Sequence, residues 1–232
     1  MYTSPTFTQF GSRRPLPGAA NQEGVWQEYR EISNDHFTVI YALNTGGNKP
    51  LISAPSGDEL ISVNGFKSSI QINNSENRSF WNHTFKNVVE GTTVVRHNML
   101  WDNYQLMQRA TLEENTVIID YRVKSCTGKD NFELTLNLWH EYQENTLLKI
   151  DNACINADSL EENGEENKSK PTYVVTIRTE PQPDNIKNAS YWVVLTYSFE
   201  NILVDEAWGN SIVRLTISYS SWEEKAEVEN LL

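Results

Sequence analysis

The stretch Phe132-Glu133-Leu134-Thr135-Leu136-Asn137-Leu138 alternates apolar and polar residues without a break. A period of two sends successive side chains to opposite faces of a β-strand, so this segment has one face for a core and one for water. The same rhythm recurs at Val117, Ile119, Tyr121 and Val123, at Tyr173, Val175 and Ile177, and at Val213, Leu215, Ile217 and Tyr219. Parallel strands covered on both faces read as unbroken apolar runs, so half-apolar strands of this kind indicate an all-β, largely antiparallel fold.

Outward from that stretch, Thr127-Gly128-Lys129-Asp130 turns between strands at 116–124 and 131–142, which read as the clearest hairpin in the chain. Ser33-Asn34-Asp35 turns between strands at 25–32 and 37–43, and a further hairpin is expected from 94–100 and 104–112. Asn64-Gly65 favours a type I′ turn, because both central residues must tolerate positive φ, and it would join 60–63 to 66–72. Strands at 173–179, 191–199 and 211–219 close the domain. About a dozen strands at spacings of roughly 10 to 15 residues imply a sandwich or a barrel.

The expected architecture is an antiparallel β-sandwich, jelly-roll or supersandwich-like, over residues 24–220. An irregular N-terminal arm, 1–23, precedes it; Pro5, Pro15, Pro17, Gly11 and Gly18 interrupt any regular pattern there. A short acidic C-terminal helix, 221–232, follows it, since Ser221 and Glu224 fit a capping box. Residues 156–171, rich in Glu, Asn, Ser and Lys, read as an exposed loop.

The 232 residues carry a formal charge of −12, from 19 basic and 31 acidic side chains. Much of the acid sits at Glu161, Glu162, Glu165 and Glu166 and again at Glu223, Glu224, Glu227 and Glu229. That serves solubility, or attraction to a basic partner or cation. Phosphate neutralisation needs clustered Lys and Arg, and no such stripe is visible along the chain, so nucleic acid is not an expected partner. No signal peptide is visible, and no run approaches the roughly 18 apolar residues of a membrane span, so localisation stays open. Cys126 and Cys154 belong to no CxxC or Cys/His cluster; they either bridge each other or remain two thiols. Asn-x-Ser/Thr sequons start at Asn73, Asn77, Asn82, Asn167 and Asn188, against about four expected by chance at this composition, too small an excess to argue secretion.

The four histidines, His36, His83, His97 and His140, show neither HxH nor HExxH spacing. GxSxG, GxxxxGKS/T and a strand-following GxGxxG are absent as well. No catalytic residue, metal or cofactor is therefore assigned. Aromatic residues stand beside polar ones at Trp101-Asp102 and at Trp139-His140-Glu141-Tyr142. Sugar rings bind to such pairs, stacking C–H faces on indole while carboxylates and amides take the hydroxyls. Trp101, Asp102, Trp139, His140 and Glu141 are thus the candidate ligand-binding residues; the structural alternative is tryptophans that plug the open ends of a β core. Carboxylates for glycosidic cleavage would come from Asp102, Asp120 or Glu141, at a separation that sequence does not supply. Gly24-Val25-Trp26 resembles the G-x-W signature at the start of a lipocalin barrel, and that resemblance implies a small apolar ligand held inside a barrel.

Together these readings favour a non-enzymatic structural or interaction β-domain, a component of a larger assembly such as a virion or appendage, with protein partners or self-association. The alternatives are a carbohydrate-binding or carbohydrate-processing β-sandwich and a lipocalin-like carrier.

Overall fold

The computed structural model describes residues 7–13, 27–42, 50–63, 67–73, 75–80, 84–90, 94–101, 104–125, 129–139, 146–151, 153–155, 172–189, 192–203 and 212–221. Every regular element among them is a strand. In chain order these are β1 (Phe7–Arg13), β2 (Gln27–Ser33), β3 (Thr38–Ala42), β4 (Leu51–Ser53), β5 (Glu59–Val63) and β6 (Ser69–Ile72). Then come β7 (Arg78–Ser79), β8 (Thr84–Glu90), β9 (Val94–Trp101), β10 (Tyr104–Leu112), β11 (Val117–Ser125) and β12 (Lys129–Trp139). The last are β13 (Thr146–Ile150), β14 (Ala153–Cys154), β15 (Tyr173–Glu180), β16 (Asn185–Ala189), β17 (Trp192–Leu203) and β18 (Val213–Ser221).

They form two sheets. The ten-stranded sheet runs β1-β2-β3-β4-β5-β12-β17-β16, with β6 on β12 and β7 on β6; the eight-stranded sheet runs β14-β13-β15-β18-β11-β10-β9-β8. The expected all-β, largely antiparallel class is what the chain adopts. One ladder departs from it: β13 lies parallel to β15. Alternation does the packing. Phe132, Leu134, Leu136 and Leu138 are buried while Glu133 is exposed, and Val117, Ile119, Tyr121, Val213, Leu215 and Ile217 are buried in the other sheet. The apolar faces of both sheets belong to one hydrophobic cluster.

Two expected hairpins form: β2 pairs with β3, and β9 with β10 from Trp101 opposite Tyr104 onward. Two do not. β11 lies between β10 and β18, whereas β12 lies beside β17 in the other sheet, so these two strands do not form a hairpin with each other. Alternation marks which face of a strand is apolar and says nothing about its neighbour; both strands keep their apolar faces in the same core.

The Asn64-Gly65 hairpin is likewise replaced. β5 and β6 both run antiparallel to β12, β6 against Phe132 to Thr135 and β5 against Leu138 and Trp139, so they follow one another along the same side of that strand. Between them Ser68, fully buried, accepts the Asn137 backbone N–H on its hydroxyl at 2.9 Å and the Phe80 N–H on its carbonyl at 2.9 Å. A side chain thereby satisfies a backbone donor that an unbroken strand would have paired.

Within the stretch expected as an irregular arm, residues 7–13 form β1, paired with β2 from Phe7 opposite Ser33 to Arg13 opposite Gln27. Pro5 and Pro15 bracket this segment without entering it, which leaves every N–H between them available for a ladder. β13 and β16 lie outside the alternating pattern for opposite reasons. Leu147 and Leu148 are both buried, as in a strand covered on both faces; Asn185, Ile186, Lys187 and Asn188 are all exposed. Ser221, the expected cap of the C-terminal helix, ends β18, while residues 222–232, the loop at 156–171 and the Gly24-Val25-Trp26 signature fall outside the described residues.

Leu136→Ala, which opens a cavity in the shared core, is expected to cost about 2–5 kcal/mol in urea unfolding, whereas Glu133→Ala on the exposed face stays within about 0.5 kcal/mol. Equal effects at the two positions would contradict the assignment of faces.

Candidate functional site

The aromatic residues singled out by sequence fall on different sheets. Trp101 ends β9 in the eight-stranded sheet, opposite Tyr104. Trp139 ends β12 in the ten-stranded sheet, with Trp192 opposite on β17 and Ser62 opposite on β5. Asp102, His140 and Glu141 lie outside the described residues. Trp192 was not among the candidates, although it is the cross-strand neighbour of Trp139 and the Lys67 ammonium lies 3.6 Å from its ring centroid. Its place beside Trp139 follows only from the β12–β17 register. Asp120, a candidate carboxylate for glycosidic cleavage, is 3% exposed and is held by Arg214 Nε at 2.8 Å and Arg122 Nη2 at 3.5 Å.

One group of described polar side chains, drawn from distant parts of the chain, links the two sheets at the surface. The loop after β4 is closed by Gly57 N–H donating to the Ala54 carbonyl (2.9 Å) and Ala54 N–H to the Asp58 carbonyl (2.8 Å). Gly57 adopts φ 94°, a conformation that glycine takes without steric penalty. The loop presents Asp58, whose Oδ2 accepts from the Ser56 hydroxyl and from the Tyr173 hydroxyl on β15, each at 2.8 Å; the two hydroxyls lie 3.2 Å apart.

Tyr173 packs edge-on against Tyr219 of β18, with centroids 5.7 Å apart, and Tyr219 packs edge-on against Phe37 at 5.1 Å. The Tyr219 hydroxyl donates to the His36 carbonyl at 3.0 Å. In the adjoining turn Asn34 Oδ1 accepts from the His36 and Phe37 backbone N–H groups (2.9 and 2.8 Å). Its Nδ2 reaches the Glu113 and Glu114 carbonyls (2.8 and 3.2 Å) in the turn between β10 and β11. Loops of the ten-stranded sheet are thus tied to strands and a turn of the eight-stranded sheet.

The electrostatics fit a fastening. The Ser56 hydroxyl, and after it that of Tyr173, holds the Asp58 carboxyl below its ordinary value of 3.8. Ser56 pulls the Tyr173 phenol down, but partial burial and the Asp58 carboxylate together push it up. At neutral pH Asp58 is therefore an acceptor and Tyr173 a donor, and neither is poised to move a proton. Among the described residues no group of three or more His, Cys, Asp or Glu gathers to hold a metal, and no helix is long and apolar enough to cross a membrane. Compared with known protein families and with curated protein sequences, the chain matches none.

Because the folded-state pKa of Asp58 lies below 3.8, its contribution to stability is fully present above that value and is lost as pH falls through the lowered one. The melting-temperature difference between the wild type and Asp58→Asn is therefore expected to shrink between pH 7 and pH 3. A pH-independent difference would show that the carboxylate does not fasten the loop.

Proposed function

We propose that this chain is a non-enzymatic structural or interaction β-domain, sandwich-like in its packing, that acts as a component of a larger assembly. The observation that carries this reading is the combination of a fastened sheet junction with sheet edges that no further described strand pairs. The described polar groups that gather at the junction are engaged in joining one sheet to the other. Among the described residues, meanwhile, β1 and β16 end one sheet, and β14 and β8 the other. An edge strand presents a row of backbone donors and acceptors to a further strand, and strand addition is a common mode of protein association. On β16 the side chains of residues 185–188 are exposed, including Ile186 at 36%, the large apolar residue most open to solvent among those described. The partners expected on this reading are copies of the same chain or other proteins.

Size-exclusion chromatography with light scattering tests it. The full chain is expected to associate in a concentration-dependent way, more strongly as salt screens its −12 charge, and deletion of residues 1–23 is expected to weaken that association. A strict monomer at every concentration and ionic strength, indifferent to the deletion, would retire the reading.

One observation favours the carbohydrate alternative: Trp139 and Trp192 stand opposite each other at the end of β12, with Lys67 over the second ring. Two neighbouring indoles offer the apolar platform on which a sugar ring stacks. On that reading a glycan array yields a hit that Trp139→Ala abolishes, and an array without hits removes it. The lipocalin-like carrier has no observation of this kind behind it.

A further inference from the structure

β16 ends the ten-stranded sheet, with β17 on one side and no further described strand on the other. Residues directly opposed in an antiparallel pair point to the same face. Ile186 stands opposite Leu195 and Asn188 opposite Val193, and both of these β17 residues are buried in the shared core. Ile186 and Asn188 therefore lie on the core face of the sheet, yet both are exposed. Asn188 reaches the edge of the other sheet: its Nδ2 donates to the carbonyl of Ile155, just after β14, at 2.5 Å. β16 thus marks the margin where the core face runs out to solvent, and Ile186 is the apolar side chain standing there. Asn185 and Lys187, opposite Thr196 and Val194, point to the other face. A strand laid antiparallel along β16 would continue its ladder. A second copy of β16 does so with twofold symmetry, and the axis, normal to the sheet, then sets one residue opposite its own copy. The fully overlapped register puts Lys187 on that axis and two ammonium groups face to face, an arrangement that costs energy in a sheet. With Ile186 on the axis instead, the two exposed isoleucines meet, Lys187 stands opposite Asn185 of the second copy, and Asp184 stands opposite its Asn188.

We propose that two copies of this chain pair edge to edge through β16, antiparallel and with Ile186 on the twofold axis, so that their ten-stranded sheets become one. This pairing rests on the assembly reading and makes the partner at β16 a second copy. It engages the end of the sheet opposite β1, the strand that deletion of residues 1–23 removes.

Sedimentation equilibrium of the full chain, together with disulfide trapping, tests the pairing. The wild type is expected to dimerise reversibly. Ile186→Lys, which removes the apolar contact and sets two ammonium groups opposite each other, is expected to weaken the dimer at least about 10-fold. Arg178→Gln, at an exposed position on the other sheet, is expected to leave it within about 2-fold. Opposed positions in an antiparallel pair hold their Cβ atoms about 4.5–5.5 Å apart, close to disulfide reach. With oxidised glutathione as the oxidant, Ile186→Cys is therefore expected to give an interchain disulfide joining position 186 to its copy, read by mass spectrometry of the linked peptides. Lys187→Cys, which stands two residues out of line with its copy, is expected to give none. Dimerisation undiminished in Ile186→Lys, or a link at position 187 and not at 186, would overturn the pairing while the assembly reading stands. A monomer at every concentration up to about 1 mM would overturn both.

Discussion

The long strands β11, β12, β17 and β18 each turn one apolar face to the core, and those faces must be hidden at once. The solution is one hydrophobic cluster to which both sheets contribute, with Leu134, Leu136 and Leu195 from one and Ile119, Val175 and Leu215 from the other, every one of them fully buried. Burying a side chain of this kind stabilises by about 1.5–3 kcal/mol, so the shared cluster outweighs any individual polar contact. It also pins the register: a slip of one residue in β12 would bring Glu133 and Thr135 into the core and turn the leucines out. The fastening at Asp58, Tyr173 and Tyr219 and the ion pairs of Asp120 with Arg214 and Arg122 are both set in place by that burial.

The alternation of FELTLNL, and of the strands like it, made the class and the buried faces legible in the sequence. Strand neighbours were not legible, because a period of two describes the faces of one strand and carries no label for its partner. β11 and β12 show the difference most clearly. Their spacing and turn chemistry suit a hairpin, yet their apolar faces meet the same core from separate sheets. The hairpin expected between β5 and β6 gives way to the long strand β12, which holds both segments on one side. β16 has no apolar face to announce it, and β13 is apolar on both, so neither carries an alternating signal.

The candidate sites follow the same division. Trp101 and Trp139 were conspicuous as aromatic residues beside polar ones, but their separation onto two sheets is a matter of topology. Tyr173 and Asp58 lie 115 positions apart, and no spacing rule joins them. The ion pair of Asp120 with Arg214 is also invisible along the chain, where the two lie 94 positions apart.

The account stands on the placement of β12 between β17 and the segments β5 and β6, away from β11. Backbone nuclear Overhauser contacts in isotope-labelled protein read that placement directly. The predicted result is a ladder linking Thr135 with Thr196 and Leu136 with Leu195, continued by Leu134 with Ile70 on the other side. Backbone contacts joining residues 132–138 to residues 117–123 would restore the hairpin and contradict the two-sheet arrangement.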